Sequence, residues 1–177
     1  MKLHILAIVA TGIAALAGPA LGQAPTASTV NPLDIIPDAM PFNHPYGAPI
    51  AVAPAKQLIA AAEAEATKRG WAMNIAVVDS GSNLVAFERM DGAQLASIAI
   101  SQHKARTAVK FRRETKLFED GIQKSGFNYV MTLDDMVASR GGFPLIENGK
   151  IIGAIGCSGG TGSQDAVVCG VAAGMVK

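Results

Sequence analysis

Gly141-Gly142-Phe143-Pro144-Leu145-Ile146-Glu147-Asn148-Gly149-Lys150-Ile151-Ile152-Gly153-Ala154-Ile155-Gly156-Cys157-Ser158-Gly159-Gly160 reads as two apolar strands around a tight turn, then a glycine-rich turn into a helix. Asn148-Gly149 is the pair that a two-residue type I′ hairpin requires, because both turn positions need positive φ. Gly153 and Gly156 then stand in the second strand where side chains would ordinarily pack. Glycine weakens a strand, so its presence there marks the close approach of another backbone or of a ligand.

Working outward, a second hairpin precedes the first. Residues 73–79 and 84–90 form strands around Ser80-Gly81-Ser82. A helix begins near Ala51, carries Pro54 in its first turn and Leu58, Ile59, Ala62 and Ala66 as its apolar stripe, and stops at Lys68-Arg69-Gly70. Residues 93–113 make a long helix and residues 115–123 a shorter one, followed by an irregular patch and a short strand over 136–139. Thr161-Gly162-Ser163-Gln164 has capping-box spacing and opens the last helix, with Val168, Val171, Ala172 and Met175 expected inward. Two hairpins without a strand–helix–strand repeat predict an α+β fold, an antiparallel sheet flanked by helices in a single domain. A doubly wound sheet would place its glycine loop after the first strand, with an acidic residue about 20 positions on; neither is found.

The chain has 177 residues, half of them hydrophobic, enough for one domain with its own core. Much of the apolar excess lies at the start. Met1-Lys2-Leu3-His4 is a short basic segment, residues 5–17 are apolar but too short to span a bilayer comfortably, and Ala20-Leu21-Gly22 precedes Gln23 as a small-residue cleavage site. Residues 1–22 therefore read as a signal peptide, which implies a periplasmic or secreted protein with no membrane attachment after cleavage. Removing Lys2 leaves 14 basic against 14 acidic residues, a balance that argues against nucleic acid or an anionic membrane surface as a partner. His44 and His103 are then the only imidazoles, too few for a structural zinc site. In an oxidising compartment Cys157 and Cys169 either bridge or serve as small apolar fillers.

Residues 23–50 carry six prolines and no periodicity, yet Leu33, Ile35, Ile36, Met40, Phe42 and Tyr46 make them too apolar for a solvated tail. They read as an arm that docks on a neighbouring subunit, with the domain proper over 51–177.

The long helix has two apolar-leaning lines. Leu95, Ile98, Gln102, Ala105 and Val109 suit the sheet; Ile100, Lys104, Thr107 and Phe111 form a second line that should meet another subunit or a bound molecule. Lys104 and Arg106 are either carboxylate partners for an apolar planar ligand or solvated surface. His103, at the edge of that line, is either a ligand or an ordinary surface histidine. Arg112, Arg113 and Lys116 read as exposed charge. Ser158-Gly159-Gly160-Thr161 presents backbone N–H groups at a helix start, an anion site in principle, although a phosphate loop's lysine is missing. Ser158 has neither a G-x-S-x-G frame nor a visible base, and no catalytic constellation can be assembled.

Asp79-Ser80-Gly81-Ser82-Asn83-Leu84, Arg89-Met90-Asp91-Gly92-Ala93, Ser97-Ile98, Lys104-Ala105-Arg106-Thr107-Ala108, Gly141-Gly142-Phe143-Pro144-Leu145, Gly153-Ala154-Ile155-Gly156-Cys157-Ser158-Gly159-Gly160-Thr161 and Gln164-Asp165 together resemble the GlcG/HbpS haem-binding family. The same region is similar to the C-terminal domain of PduO-type proteins. The resemblance covers about residues 52–177. It implies a profilin- or roadblock-like sheet, homo-oligomers that are commonly octamers, and haem as cofactor, in exported members for scavenging, storage, or iron and redox sensing. His103, Lys104, Arg106, Thr107, Phe111 and His44 are the resulting candidate haem contacts, with His103 and His44 the candidate iron ligands. A valine is usual where this chain has Cys157, and the proline-rich arm is a second departure. Two other classes stay open: an enzyme acting on haem, a corrinoid or a small organic acid such as glycolate, and a non-catalytic assembly or sensory partner.

Overall fold

The computed structural model describes residues 31–177, in which residues 32–177 form one compact unit. The signal-peptide reading of residues 1–22 lies outside the described residues. Helices α1 (Val52–Arg69), α2 (Ala96–Lys110), α3 (Lys116–Ser125) and α4 (Gly162–Ala173) accompany strands β1 (Asn74–Asp79), β2 (Leu84–Arg89), β3 (Gly142–Glu147) and β4 (Lys150–Ser158). The strands make one antiparallel sheet in the order β2-β1-β4-β3. The α+β, single-domain reading agrees with this architecture.

Local chemistry explains most boundaries. Gly70 takes the left-handed conformation at φ 68° and closes α1. Asn148 and Gly149 turn the β3–β4 hairpin at φ 50° and 75°. The Thr161 side chain accepts from the Gln164 N–H while Gln164 reaches back to the Thr161 N–H, completing the capping box of α4. Residues 136–139 are not a strand. Their backbone is held on α2 instead, because the Val137 N–H donates to Thr107 Oγ1 at 2.9 Å.

The sheet is covered on both faces. On one side Ile75, Val77, Leu145, Ile155 and Cys157 pack against Leu58, Ile59 and Ala62 of α1 and Val168, Cys169 and Ala172 of α4. Cys157 and Cys169 form a disulfide that ties α4 to β4. Val171 and Met175, expected inward, are 46% and 53% exposed; α4 meets the core along Val168 and Ala172, and Val171 falls on the side away from it. On the other side Val78, Ile151 and Ala154 meet Ala105, Ala108 and Val109 of α2. Ile151 can join that face because β4 bulges: Leu145 pairs with Gly153 but Ile146 with Ile151, leaving Ile152 as the extra residue.

The α2 contact is backbone-close. A Cβ on Gly156 would lie 2.1 Å from the Ser101 carbonyl oxygen, and one on Gly142 would lie 2.4 Å from that of Lys104. Gly142 and Gly156 thus admit a helix rather than a ligand, whereas a Cβ on Gly153 would meet the Val78 carbonyl oxygen of β1 at 2.3 Å. Residues 45–50 also belong to the packed unit. The Ile151 N–H donates to the Pro45 carbonyl, and the Gly47 and Ile50 N–H groups donate to the carbonyls of Ile151 and Ile152. The Tyr46 hydroxyl is shared between the Val109 and Lys110 carbonyls. This part of the arm docks on its own chain.

Candidate functional site

Helix α2 decides where the predicted ligand contacts stand, and the stripe expected to face the sheet does not do so as a whole. Ser97, Ser101, Ala105 and Ala108 are buried, whereas Leu95 is 70% exposed. Small side chains let the helix backbone reach Gly142 and Gly156, and this shape match overrides the hydrophobic line.

The second line is correspondingly displaced. Lys104 is 1% exposed, and its Nζ donates to Asp165 Oδ2 at 2.7 Å. Thr107 is fully buried; its hydroxyl donates to the Asp135 carbonyl at 3.1 Å while accepting from Val137. Lys104 and Thr107, expected on an outer, ligand-facing line, therefore point into contacts with α4 and with residues 135–137. The half-buried Phe111 ring packs edge-on against Phe118 of α3 at 5.1 Å.

Asp165 also explains the glycine turn. Its Oδ1 accepts from the Gly159 and Gly160 N–H groups, both at 3.0 Å. The anion site read from Ser158-Gly159-Gly160-Thr161 exists, and a carboxylate of the same chain fills it. The Gln164-Asp165 pair was visible in the sequence; its connection to Lys104 was not.

His103 and Arg106 remain outward. His103 is exposed, Arg106 is half-buried, and Lys110 continues the stripe. Lys110 Nζ donates to Asp135 Oδ2 at 2.5 Å. That bond holds the Asp135 carboxyl below its ordinary range, and the nearby charges of His103 and Arg106 act in the same direction. Nothing in the sequence pairs Lys110 with Asp135, although Lys110 stands seven residues beyond His103, two helical turns along the same face. His44 is exposed at the far end of the helix. Its Nδ1 lies 3.4 Å from the Gly149 carbonyl oxygen, and its own carbonyl accepts from Arg112 at 3.4 Å. No contact joins His44 to His103, and no cluster of three or more metal-ligating side chains occurs among the described residues. A cavity of about 550 Å³ between residues 47–51, the start of α1 and the β3–β4 hairpin contains none of the predicted contacts.

The HbpS-like family model, described as haem degrading protein HbpS-like, matches residues 50–173. The chain belongs to this family. Protein GlcG of Escherichia coli (strain K12) is 43% identical to the chain over 104 residues, covering 59% of this chain and 77% of that protein. The crystal structure of Klebsiella pneumoniae protein ORFY superposes with a TM-score of 0.69 at 30% identity, covering 79% of this chain and 95% of that one. The crystal structure of a PduOC:heme complex does so with a TM-score of 0.66 at 26% identity, covering 73% and 96%. The HbpS-like assignment agrees with the resemblance read from the sequence motifs.

Against that family, the donor set of this chain can be tested for haem. An exposed imidazole with no hydrogen-bond partner among the described residues, His103, fits an iron ligand. Arg106 on the same stripe fits a carboxylate, and Lys110 fits one by exchanging its exposed partner Asp135. Lys104 and Thr107 do not fit, since the Lys104 ammonium and the Thr107 hydroxyl are already committed inside the fold.

Proposed function

We propose that this chain is an exported homo-oligomeric protein that binds haem, for scavenging, storage, or iron and redox sensing. The observation that carries the reading is the similarity to PduOC, whose structure is a heme complex, within a family described by its relation to haem. His103 would supply the imidazole that holds the iron. Arg106 and Lys110 take the propionates, and His44 on the arm is the alternative iron ligand. When bound, haem supplies the redox-active iron; the chain's own residues hold and orient it.

Export is supported by the signal-like residues 1–22 and by the Cys157–Cys169 disulfide, which persists in oxidising compartments. Assembly is supported by apolar side chains left exposed: Leu95 just before α2, Val167 and Val171 on α4, and Met175 just after it. Among the described residues no helix is long and apolar enough to cross a membrane.

Titration of the mature protein with haemin tests the proposal: a saturable Soret shift is expected, and its absence refutes haem binding. His103→Ala should abolish or displace the ligated band while His44→Ala leaves it intact; the reverse outcome moves the iron to the arm. Light scattering during size exclusion checks assembly. Following the Soret band with oxygen and a reductant, against peroxide alone, separates turnover of haem from simple binding.

A further inference from the structure

The sequence alone marks Arg113 as ordinary surface charge. In the fold its guanidinium lies 3.7 Å from the centre of the Phe42 ring and 5.2 Å from that of Phe118. Its Nε donates to the Phe111 carbonyl at 3.0 Å, which fixes the plane of the fork. Among the described residues it forms no ion pair, although the neighbouring Asp120 is held by Lys116, Lys124 and Arg140. Burial pushes the guanidinium pKa down, yet arginine stays charged at neutral pH.

Beside this cation is a cavity of about 350 Å³, lined by Phe42, Arg113, Phe118, Phe127 and Tyr129 and by the Asp120–Lys124 ion pair. The volume falls in the range of small-molecule sites. Two backbone outliers shape it. Phe42 and Arg112 are not glycine, yet both sit in the left-handed region at φ 58° and 57°, a conformation that costs about 1–3 kcal/mol. One places the Phe42 ring over the guanidinium, and the other directs the chain just before Arg113. A fixed, half-buried cation that forms no ion pair of its own, beside a lining carboxylate, Asp120, that three other cations already neutralise, and set among aromatic rings, has the chemistry of a receptor for a flat apolar acid.

We propose that the Arg113–Phe42–Phe118 cavity binds a small planar carboxylate, an aryl or similarly flat apolar acid, with its carboxylate on the free η nitrogens of Arg113 and its ring among Phe118, Phe127 and Tyr129. The site is separate from the His103 stripe and does not depend on haem binding. The arm supplies one wall through Phe42.

The probe is 2-naphthoate, titrated calorimetrically into the mature protein, with 2-naphthamide as the uncharged control. Saturable binding of the acid, at least about tenfold tighter than the amide, is expected from one charge-assisted contact. Arg113→Met should weaken the acid by about tenfold or more and leave the amide unchanged; Phe42→Ala should weaken both. Arg113→Lys, which keeps charge but loses the stacked plane, serves where the methionine variant misfolds and should give an intermediate loss. Equal binding of acid and amide, unaltered affinity in Arg113→Met and Arg113→Lys, or no saturable binding to folded wild-type protein would each overturn the proposal. Haemin titration in the presence of saturating 2-naphthoate should be unaffected.

Discussion

Lys104 and Asp165, 61 residues apart in sequence, form a buried ion pair at 2.7 Å that joins α2 to the first turn of α4. The second carboxylate oxygen of Asp165 is satisfied by the Gly159 and Gly160 N–H groups. A buried carboxylate with three donors is compensated; its partner alone is not. Asp165→Asn leaves the Lys104 ammonium buried without a counter-charge, so a loss of about 3–5 kcal/mol is expected in urea unfolding. Lys104→Met combined with Asp165→Asn should recover part of it. A loss below about 1 kcal/mol in the single variant would mean that the ammonium finds water.

Gly156→Ala should be among the most damaging single-atom additions. Its methyl would meet the Ser101 carbonyl oxygen at 2.1 Å and the Ala105 nitrogen at 2.6 Å, both backbone atoms that no side-chain rotation can move. Overpacking of this kind costs about 1–3 kcal/mol and sometimes more. Gly149→Ala is the contrasting case: its methyl meets nothing within 4 Å, but φ is 75°, so only the smaller backbone penalty applies. Thermal unfolding of the two variants should rank them in that order.

Breaking the Cys157–Cys169 bridge should cost about 2–4 kcal/mol, as for other disulfides closing loops of this order. Both residues are fully buried between α4 and the sheet, so serine at either site adds an unsatisfied polar group, and alanine is the cleaner replacement. The expected result for Cys169→Ala is a lower urea midpoint, with no free thiol detectable in unreduced wild-type protein.

Acid should release α3 before the sheet. Arg140 Nε donates to Glu119 at 2.9 Å and holds that carboxyl below its usual range. Hydrogen bonds from Lys116 and Lys124 pull Asp120 down to about 2. For an acid whose folded pKa is depressed, the stabilisation is complete above its unfolded pKa, near 4, and disappears as pH falls through the folded value. Hydrogen exchange should therefore show α3 amides losing protection between about pH 4 and 2 while β1 and β4 remain protected. Arg140→Gln should move the loss to higher pH. Unchanged α3 protection at pH 2 would show that these pairs do not hold the helix.

The arrangement of α2 shows where sequence reading reaches its limit. His103 and Arg106 were placed outward, as found, whereas Lys104 and Thr107 were assigned to the same outer line and are buried. Hydrophobic periodicity weighs side chains by transfer energy, and α2 meets the sheet through Ser97, Ser101 and Ala105, which carry little of it. The strand glycines announce a close approach without saying what makes it: α2 at Gly156, the β1 backbone at Gly153.

Local chemistry by itself determined the Asn148-Gly149 turn, the Thr161–Gln164 cap, the stop at Gly70 and the antiparallel hairpins, because each depends on residues a few positions apart. The ordered motifs determined the family. Only the tertiary structure decided that Asp165 fills the glycine turn, that Lys104 is its partner and that Arg113 is caged by Phe42. Those pairings join residues 6, 61 and 71 positions apart, and what selects them is the desolvation of a charge at a site that exists only after the helices have packed.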